Sequence, residues 1–469
     1  MFDLSFLLLA QETPGGFVDG VKHFLEFVPR HWNFCLLHFL QFAVWGAWYV
    51  VLGNMLNARG FKGTEIGRIY ATIPLGSIIS PMIVGPIADK YINQEILIGG
   101  LHLSGAVFLF LMAKTAKPRP FFWIALVYAV LFAPTLSLVN SIVFAHDADI
   151  FGGNAGEGFP WIRVFGTIGW IIAGLSHALI LKKGEPMNER PLLLACGLSA
   201  ILGLYAFTLP VTKPAAVLAA EAAAASGEAA DVAAEEIGAI AGAKTMITSY
   251  PVFFGVSFAT AMAMGLYFAF AALYLEKRGI GSNVVGPVMT IGQWIEIFFM
   301  LTLPAFLGKD NANMNHVLLV GVAAWALRFG LFAIGRPLPL ILLGVAIHGI
   351  CFDFFFAAGM INTAAIAPAQ LTATAQQVYG FLVYGLGMYL GSELSGWLHQ
   401  YFTKPVPATA AEPSTAEEAA TNWRGFWIVP CLIIAICAAL FAANATDATS
   451  ATDEAGTGSD GAAVTDPVE

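Results

Sequence analysis

Apolar runs of eighteen residues or more recur along the chain, separated by short stretches that carry most of its charged residues. A run of that length is what an α-helix needs to cross a hydrocarbon layer of about 30 Å. Twelve such stretches are predicted, numbered here as spans 1–12: residues 34–52, 66–88, 96–113, 121–144, 161–181, 192–209, 253–275, 284–307, 317–334, 340–358, 378–401 and 426–443. The period inside them adds to what their length says. Arg163, Thr167 and Trp170 fall at i, i+4 and i+7 of span 5, which is one helical face if the helix begins at Pro160, where a first turn accepts proline. His38, Gln41, Trp45 and Trp48 keep a similar spacing in span 1. A cation, a hydroxyl and a large ring on one stripe suit a wet surface that faces a solute.

The spans fall into two groups of six. Residues 33–210 form an expected N-terminal bundle and 248–443 a C-terminal one. Between them, 211–247 is rich in Ala and Glu and is expected to lie outside the bilayer, partly helical. The extension 1–32 has an apolar patch, Leu4 to Ala10, that is too brief to span. The tail 444–469 is acidic, rich in Gly, Ser, Thr and Ala, and expected to be disordered. The fold class expected is an all-α membrane protein, twelve transmembrane helices in two six-helix bundles. Chains built from such repeats place their site near mid-membrane, between the halves.

Composition agrees. Hydrophobic residues make up 58% and charged residues 11%, against about 25% charged in a soluble domain. So much apolar surface exceeds what one water-soluble core could bury. The five cysteines lie in apolar runs without metal-ligand spacing, so no metal or cofactor is expected. The net charge of −9 arises largely in the soluble segments and gives no reason to expect nucleic acid as a partner. No basic n-region with a small-residue cleavage site opens the chain, so no cleaved signal peptide is expected. With both termini cytoplasmic, the inner loops hold six Lys and Arg and the outer side fourteen. That bias runs against the positive-inside rule.

The candidate chemistry lies in charges that remain within spans. An arginine at the centre of a membrane helix costs about 2.5–3.5 kcal/mol and less toward an end, so Arg163 needs a reason to be there. Span 8 carries Gln293 and Glu296 at i, i+3, and span 10 carries His348, Phe352 and Asp353. Intramembrane carboxylates usually face a polar cavity or a partner. One balanced between desolvation and a nearby cation can load and release a proton as access alternates. A structural ion pair is the alternative for Glu296 and Asp353, with Arg328 of span 9 as a mate for one of them.

Several motifs carry a family resemblance. Gly85-Pro-Ile-Ala-Asp89-Lys90 is similar to the loop between spans 2 and 3 of the major facilitator superfamily, without that motif's terminal basic residue. The blocks His38-Phe-Leu-Gln41-Phe-Ala-Val-Trp45-Gly-Ala-Trp48, Pro134-Thr-Leu-Ser-Leu-Val-Asn140, Phe159-Pro-Trp-Ile-Arg163-Val-Phe-Gly-Thr167, Gln293-Trp-Ile-Glu296, Trp325-Ala-Leu-Arg328-Phe329 and Phe352-Asp353-Phe-Phe occur in order. Together they resemble the bacterial nucleoside:proton symporters of that superfamily. The resemblance implies a major facilitator fold, cytoplasmic termini and residence in the inner membrane. It implies nucleoside contact for Arg163, Thr167, Gln293, Glu296 and Phe352, and a role in proton coupling for Asp353.

The departures concern the solute. Trp170 stands where the family pattern has phenylalanine, and His348 where it has tyrosine. Alignment of span 7 puts Gly265 and Phe268 where the family carries a polar pair, which removes hydrogen bonds that would read a base or ribose. The expectation is a proton-driven importer of a nucleoside, a monomer in the bilayer, with Trp170, His348 and Phe352 in the substrate site and Glu296 sharing proton coupling with Asp353. A sugar or glycoside symporter of the same fold is the alternative. An intramembrane enzyme using Glu296 and Asp353 as acid and base would be a different class, and no nucleophile motif, metal cluster or phosphate loop accompanies those carboxylates.

Overall fold

The computed structural model describes residues 26–146, 149–150, 155–214, 216–218, 221, 236–368, 372–404 and 421–457. Most of the expected extension, most of the central linker and the end of the acidic tail lie outside the described residues. The described chain is helical almost throughout; an isolated bridge between Thr403 and Thr421 is its one β pairing.

Among the described residues, nine helices are long and apolar enough to cross a membrane, and they correspond to spans 2–5, 7–10 and 12. The other three predicted stretches are helical but shorter or interrupted. Span 6 is Arg190–Ala206, 17 residues. Span 1 is Trp32–Gly46, followed after a turn by Leu52–Ala58. Span 11 runs Thr372–Gly380, a π-helical segment Phe381–Gly387, then Met388–Phe402. Prolines open four of the described helices, at Pro118, Pro191, Pro251 and Pro339, where the missing N–H leaves nothing unpaired.

Four boundaries differ from expectation. Span 5 is Ala155–Ile180, so the helix begins five residues before Pro160; its face is unchanged because helical period does not depend on where the first turn lies. Span 10 extends to Ile366 through Asn362 and Thr363, polar residues that lower hydropathy without breaking a helix. The last helix, Trp423–Thr457, continues past Asn444 into the tail expected to be disordered. Its Ala- and Thr-rich sequence holds no glycine until Gly456 and no proline in that extension. The Gly85–Lys90 motif, expected as a loop, forms the final turns of the helix Thr72–Lys90.

The interruption in span 1 has a local solution. Ala47 lies in the turn after Gly46, and its carbonyl accepts a hydrogen bond from His177 Nε2 of span 5 at 2.7 Å. The same two spans pack with little between their backbones: a Cβ at Gly169 would run into the Phe39 carbonyl.

The halves meet at the end where odd-numbered spans finish and even-numbered ones begin. Asn54, past the break in span 1, donates to the Ala272 carbonyl at 3.1 Å and to Glu276 at the end of span 7. Ser282 Oγ donates to the other Glu276 oxygen at 2.9 Å. Gly67 of span 2 lies against Gly396 of span 11, where an added Cβ would stand 2.7 Å from the Gly396 Cα. Thr64 Oγ1 donates to Gln400 Oε1 at 2.8 Å beside it.

Inside the N-terminal half a polar network replaces apolar packing. His102 Nε2 donates to Gln41 Oε1 at 2.8 Å, Gln41 Nε2 donates to Thr135 Oγ1 at 2.8 Å, and His102 Nδ1 lies 3.1 Å from Ser199 Oγ. All four side chains are buried. His102→Leu leaves the Gln41 carbonyl unpaired. Interhelical hydrogen bonds in membranes are worth about 0.5–2 kcal/mol, so thermal denaturation in detergent should show a destabilisation of that order; an unchanged melting temperature would mean the network adds nothing.

Candidate functional site

Spans 1, 2, 4, 5, 7, 8, 10 and 11 enclose a cavity of about 220 Å³ between the two halves. All seven residues expected to touch solute line it: Arg163, Thr167, Trp170, Gln293, Glu296, His348 and Phe352. Asp353 does not. It is fully buried behind the wall, with no hydrogen bond to either carboxylate oxygen from a described residue. The polar groups it faces are the Glu296 carboxylate and the backbone of Met300.

The span-5 stripe forms one side. The Arg163 guanidinium lies over the Phe42 ring, 3.9 Å from its centroid, so the cation is held by an aromatic face. Glu296 across the cavity, Tyr384 of span 11 and His38 of span 1 lie within electrostatic reach of it. Trp170 meets Trp45 edge to face at 5.3 Å, an arrangement that fixes both indoles at the wall.

Spans 8 and 10 form the opposite side. Helix Ile291–Leu307 turns Gln293 and Glu296 inward. Gln293 Oε1 has no hydrogen-bond partner among the described residues. Glu296 Oε2 lies 3.6 Å from His348 Nε2. Gly349 lets span 10 approach span 8 this closely, because a Cβ there would lie 2.7 Å from the Glu296 backbone nitrogen. Beyond His348 the chain enters a π-helical segment, Phe352–Ala357. Such wide turns are frequent at functional sites, and this one separates Phe352 on the cavity wall from Asp353 behind it.

Two expectations need correction. Arg328 does not pair directly with a carboxylate: its Nη1 is 3.0 Å from His348 Nδ1 and its guanidinium lies 3.5 Å over the Tyr267 ring. Gly265 does not face the solute. It packs on span 11, where a Cβ would lie 2.9 Å from the Met388 carbonyl oxygen. Met264 takes the place beside Phe268 on the wall, so the span-7 side is apolar, as the loss of the polar pair implied.

Two further lining residues, Asn140 and Tyr384, carry polar chemistry without having been expected to touch solute. Asn140 of span 4, which ends the block beginning at Pro134, makes an interhelical hydrogen bond, its Oδ1 3.1 Å from His38 Nε2, and also lines the cavity. Tyr384 sits on the second π-helical segment. Its four-residue spacing to Met388, also on the wall, is the pattern that could have marked it. Of the span-1 stripe, His38 and Gln41 turn into the N-terminal half while Trp45 meets the cavity.

Comparison with known proteins agrees with this geometry. A family model described as "Nucleoside H+ symporter" matches residues 31–449. The chain is similar to YegT, a candidate nucleoside transporter of Escherichia coli (strain K12), at 34% identity over 418 residues, 86% of this chain and 91% of the relative. It is 32% identical to the xanthosine permease of the same strain over 407 residues, 84% and 90% of the two chains. The crystal structure of the nucleoside transporter NupG superposes with a TM-score of 0.73 at 26% identity, covering 88% of this chain and 98% of that one. A multi-pass helical fold, a cavity between its halves and a family match across nearly all the described chain converge: the protein belongs to the nucleoside H+ symporter family, which is a family of transporters and not of enzymes.

Proposed function

We propose that this protein imports a nucleoside together with a proton across the cytoplasmic (inner) membrane, by alternating access to the cavity between its halves. The observation that carries the reading is the convergence of Arg163, Gln293, Glu296 and His348, from spans 5, 8 and 10, on that one cavity. Ionisable groups within a bilayer usually pair with one another or mark the path of a polar solute or ion, and here groups from three helices share one cavity.

The roles follow from chemistry. Gln293 and Glu296 hydrogen-bond hydroxyls of the sugar. Trp170 and Phe352 offer faces for a base. Arg163 holds the cavity's negative charge in balance, and Asp353 and Glu296 share the coupled proton. The protein acts as a monomer in the lipid bilayer with its termini cytoplasmic, so the seal around Gly67 and Asn54 is on the outer side.

Labelled uridine uptake into proteoliposomes tests this. Accumulation should rise with an inward proton gradient and collapse on adding a protonophore; uptake indifferent to both would remove the coupling. A second reading is favoured by the apolar span-7 wall of Met264 and Phe268: a sugar or glycoside as solute. Competition separates the two, since unlabelled nucleosides should suppress uridine uptake and simple sugars should not.

A further inference from the structure

Behind the cavity wall, a buried cation decides what a cavity residue can do. Arg328 is completely buried, and its Nη1 lies 3.0 Å from His348 Nδ1. A guanidinium has five N–H donors and no acceptor. The imidazole nitrogen that faces it must therefore supply a lone pair. A neutral histidine with a bare Nδ1 carries its proton on Nε2, and here Nε2 is the nitrogen 3.6 Å from Glu296 Oε2. We propose that Arg328 is a positioning residue that fixes His348 as the Nε2–H tautomer, a hydrogen-bond donor presented to Glu296 and to the solute beside it. The proposal rests on the reading of this cavity as the solute and proton site, and deepens it.

The packing leaves the ring little freedom to escape that role. Tyr267 stacks on His348 with ring centroids 5.6 Å apart and planes 21° from parallel. The same tyrosine ring supports the Arg328 guanidinium, so cation, phenol and imidazole form one layered unit. On the other side Gly292 of span 8 comes close enough that a Cβ there would lie 2.8 Å from His348 Cβ.

Two consequences follow. The wall at His348 offers N–H, which matches an acceptor on the solute, such as a base carbonyl, a ring nitrogen or a ribose oxygen. Where the family pattern has a tyrosine hydroxyl, able to donate or accept, this chain has a one-way donor. Second, His348 does not carry the coupling proton. A proton on Nδ1 would break the contact with Arg328 and set two cations face to face, with little water to screen them. The charged and titratable groups around the ring are Arg328 from span 9, Glu296 from span 8, Tyr267 from span 7, and Cys351 and Asp353 on its own span, with Arg163 of span 5 beyond Glu296. The carboxylates are left to carry the proton.

Two measurements test this. In the full-length protein labelled with ¹⁵N-histidine, the resonance lost in His348→Gln identifies His348. It should show a protonated Nε2 and a bare Nδ1 throughout the histidine range of about pH 5–8. A proton on Nδ1, or titration across that range, overturns the proposal. The second is the pH profile of uridine exchange. His348→Gln, which keeps an N–H donor but cannot ionise, should leave the shape of the pH profile unaltered whatever it does to the rate. Arg328→Met should add an ionisation step between about pH 5 and 7 that changes exchange about tenfold; Arg328→Lys, which keeps a donor, and the double variant Arg328→Met/His348→Gln should both lack it. A uniform fall in Arg328→Met with an unaltered profile assigns Arg328 to packing and ends the proposal. Should Arg328→Met fail to fold, the spectrum of the unaltered protein still decides. An absence of uridine exchange in that unaltered protein counts against the transport reading, while the histidine spectrum judges the tautomer independently.

Discussion

Asp353→Asn should abolish accumulation of nucleoside against a gradient while leaving exchange of internal for external nucleoside near the unaltered rate. The substitution keeps the volume and shape of the side chain, so packing in the π-helical turn Phe352–Ala357 is preserved. What it removes is an exchangeable proton. The wild-type carboxyl is enclosed with no hydrogen bond to its oxygens from a described residue. An ionised carboxylate so placed has given up its water, with only the backbone of Met300 facing it in return. Its charge is tolerated only when the neighbouring Glu296 is neutral or the cavity admits water. Asp353 and Glu296 therefore cannot both be charged cheaply, which makes them a coupled pair rather than two independent sites. A neutral amide at position 353 ends that coupling without touching the cavity wall, because Asp353 is not part of it. The measurement is the steady ratio of internal to external uridine under an inward proton gradient: about unity for Asp353→Asn, well above it for the unaltered protein. Retained concentrative uptake by the variant would transfer proton coupling to Glu296 alone.

The second large effect is at Arg163. Arg163→Met keeps an unbranched apolar side chain and deletes the guanidinium, and with it both the cation over Phe42 and the charge opposite Glu296. Hydrogen bonds to charged groups are worth about 1.5–3 kcal/mol, so nucleoside affinity should fall roughly 10- to 160-fold. The loss should appear in binding to purified protein, by calorimetry or thermal shift, and not only in transport. Arg163→Lys keeps the charge but not the flat face that stacks on an aromatic ring, and should fall between the two. If Arg163→Met bound uridine as tightly as the unaltered protein, Arg163 would be a structural cation that makes no contact with the solute.

Much of this site was legible in the chain before any coordinates. The stripe Arg163, Thr167, Trp170 lines the cavity, as its spacing required, even though the helix starts at Ala155 and not at Pro160. Gln293 and Glu296 needed the i, i+3 rule and no more. Span 7 shows where such reasoning stops. Met264, Gly265 and Phe268 are near neighbours on one helix, and hydropathy cannot say which of the first two meets solute. The close approach of span 11 decides it: only a glycine fits at 265, so its neighbour Met264 turns to the cavity. Arg328 is a similar case. Its charge predicted a carboxylate partner, yet the group within reach is a histidine, because span 9 delivers it to the back of span 10.

The sequence by itself determined that this is a multi-pass membrane protein of the nucleoside H+ symporter family, and which faces of spans 5 and 8 are polar. These are local properties: helix length, hydropathy and a 3.6-residue period are complete within a stretch of about twenty residues. Tertiary structure alone decided that Asp353 sits behind the wall rather than on it, that span 1 breaks after Gly46 with His177 satisfying the Ala47 carbonyl, and that Arg328 sets the polarity of His348. Each depends on how far one helix is rotated and how closely it approaches another. That rotation is set by side chains from distant parts of the chain filling the same space, and no window along the sequence contains both partners.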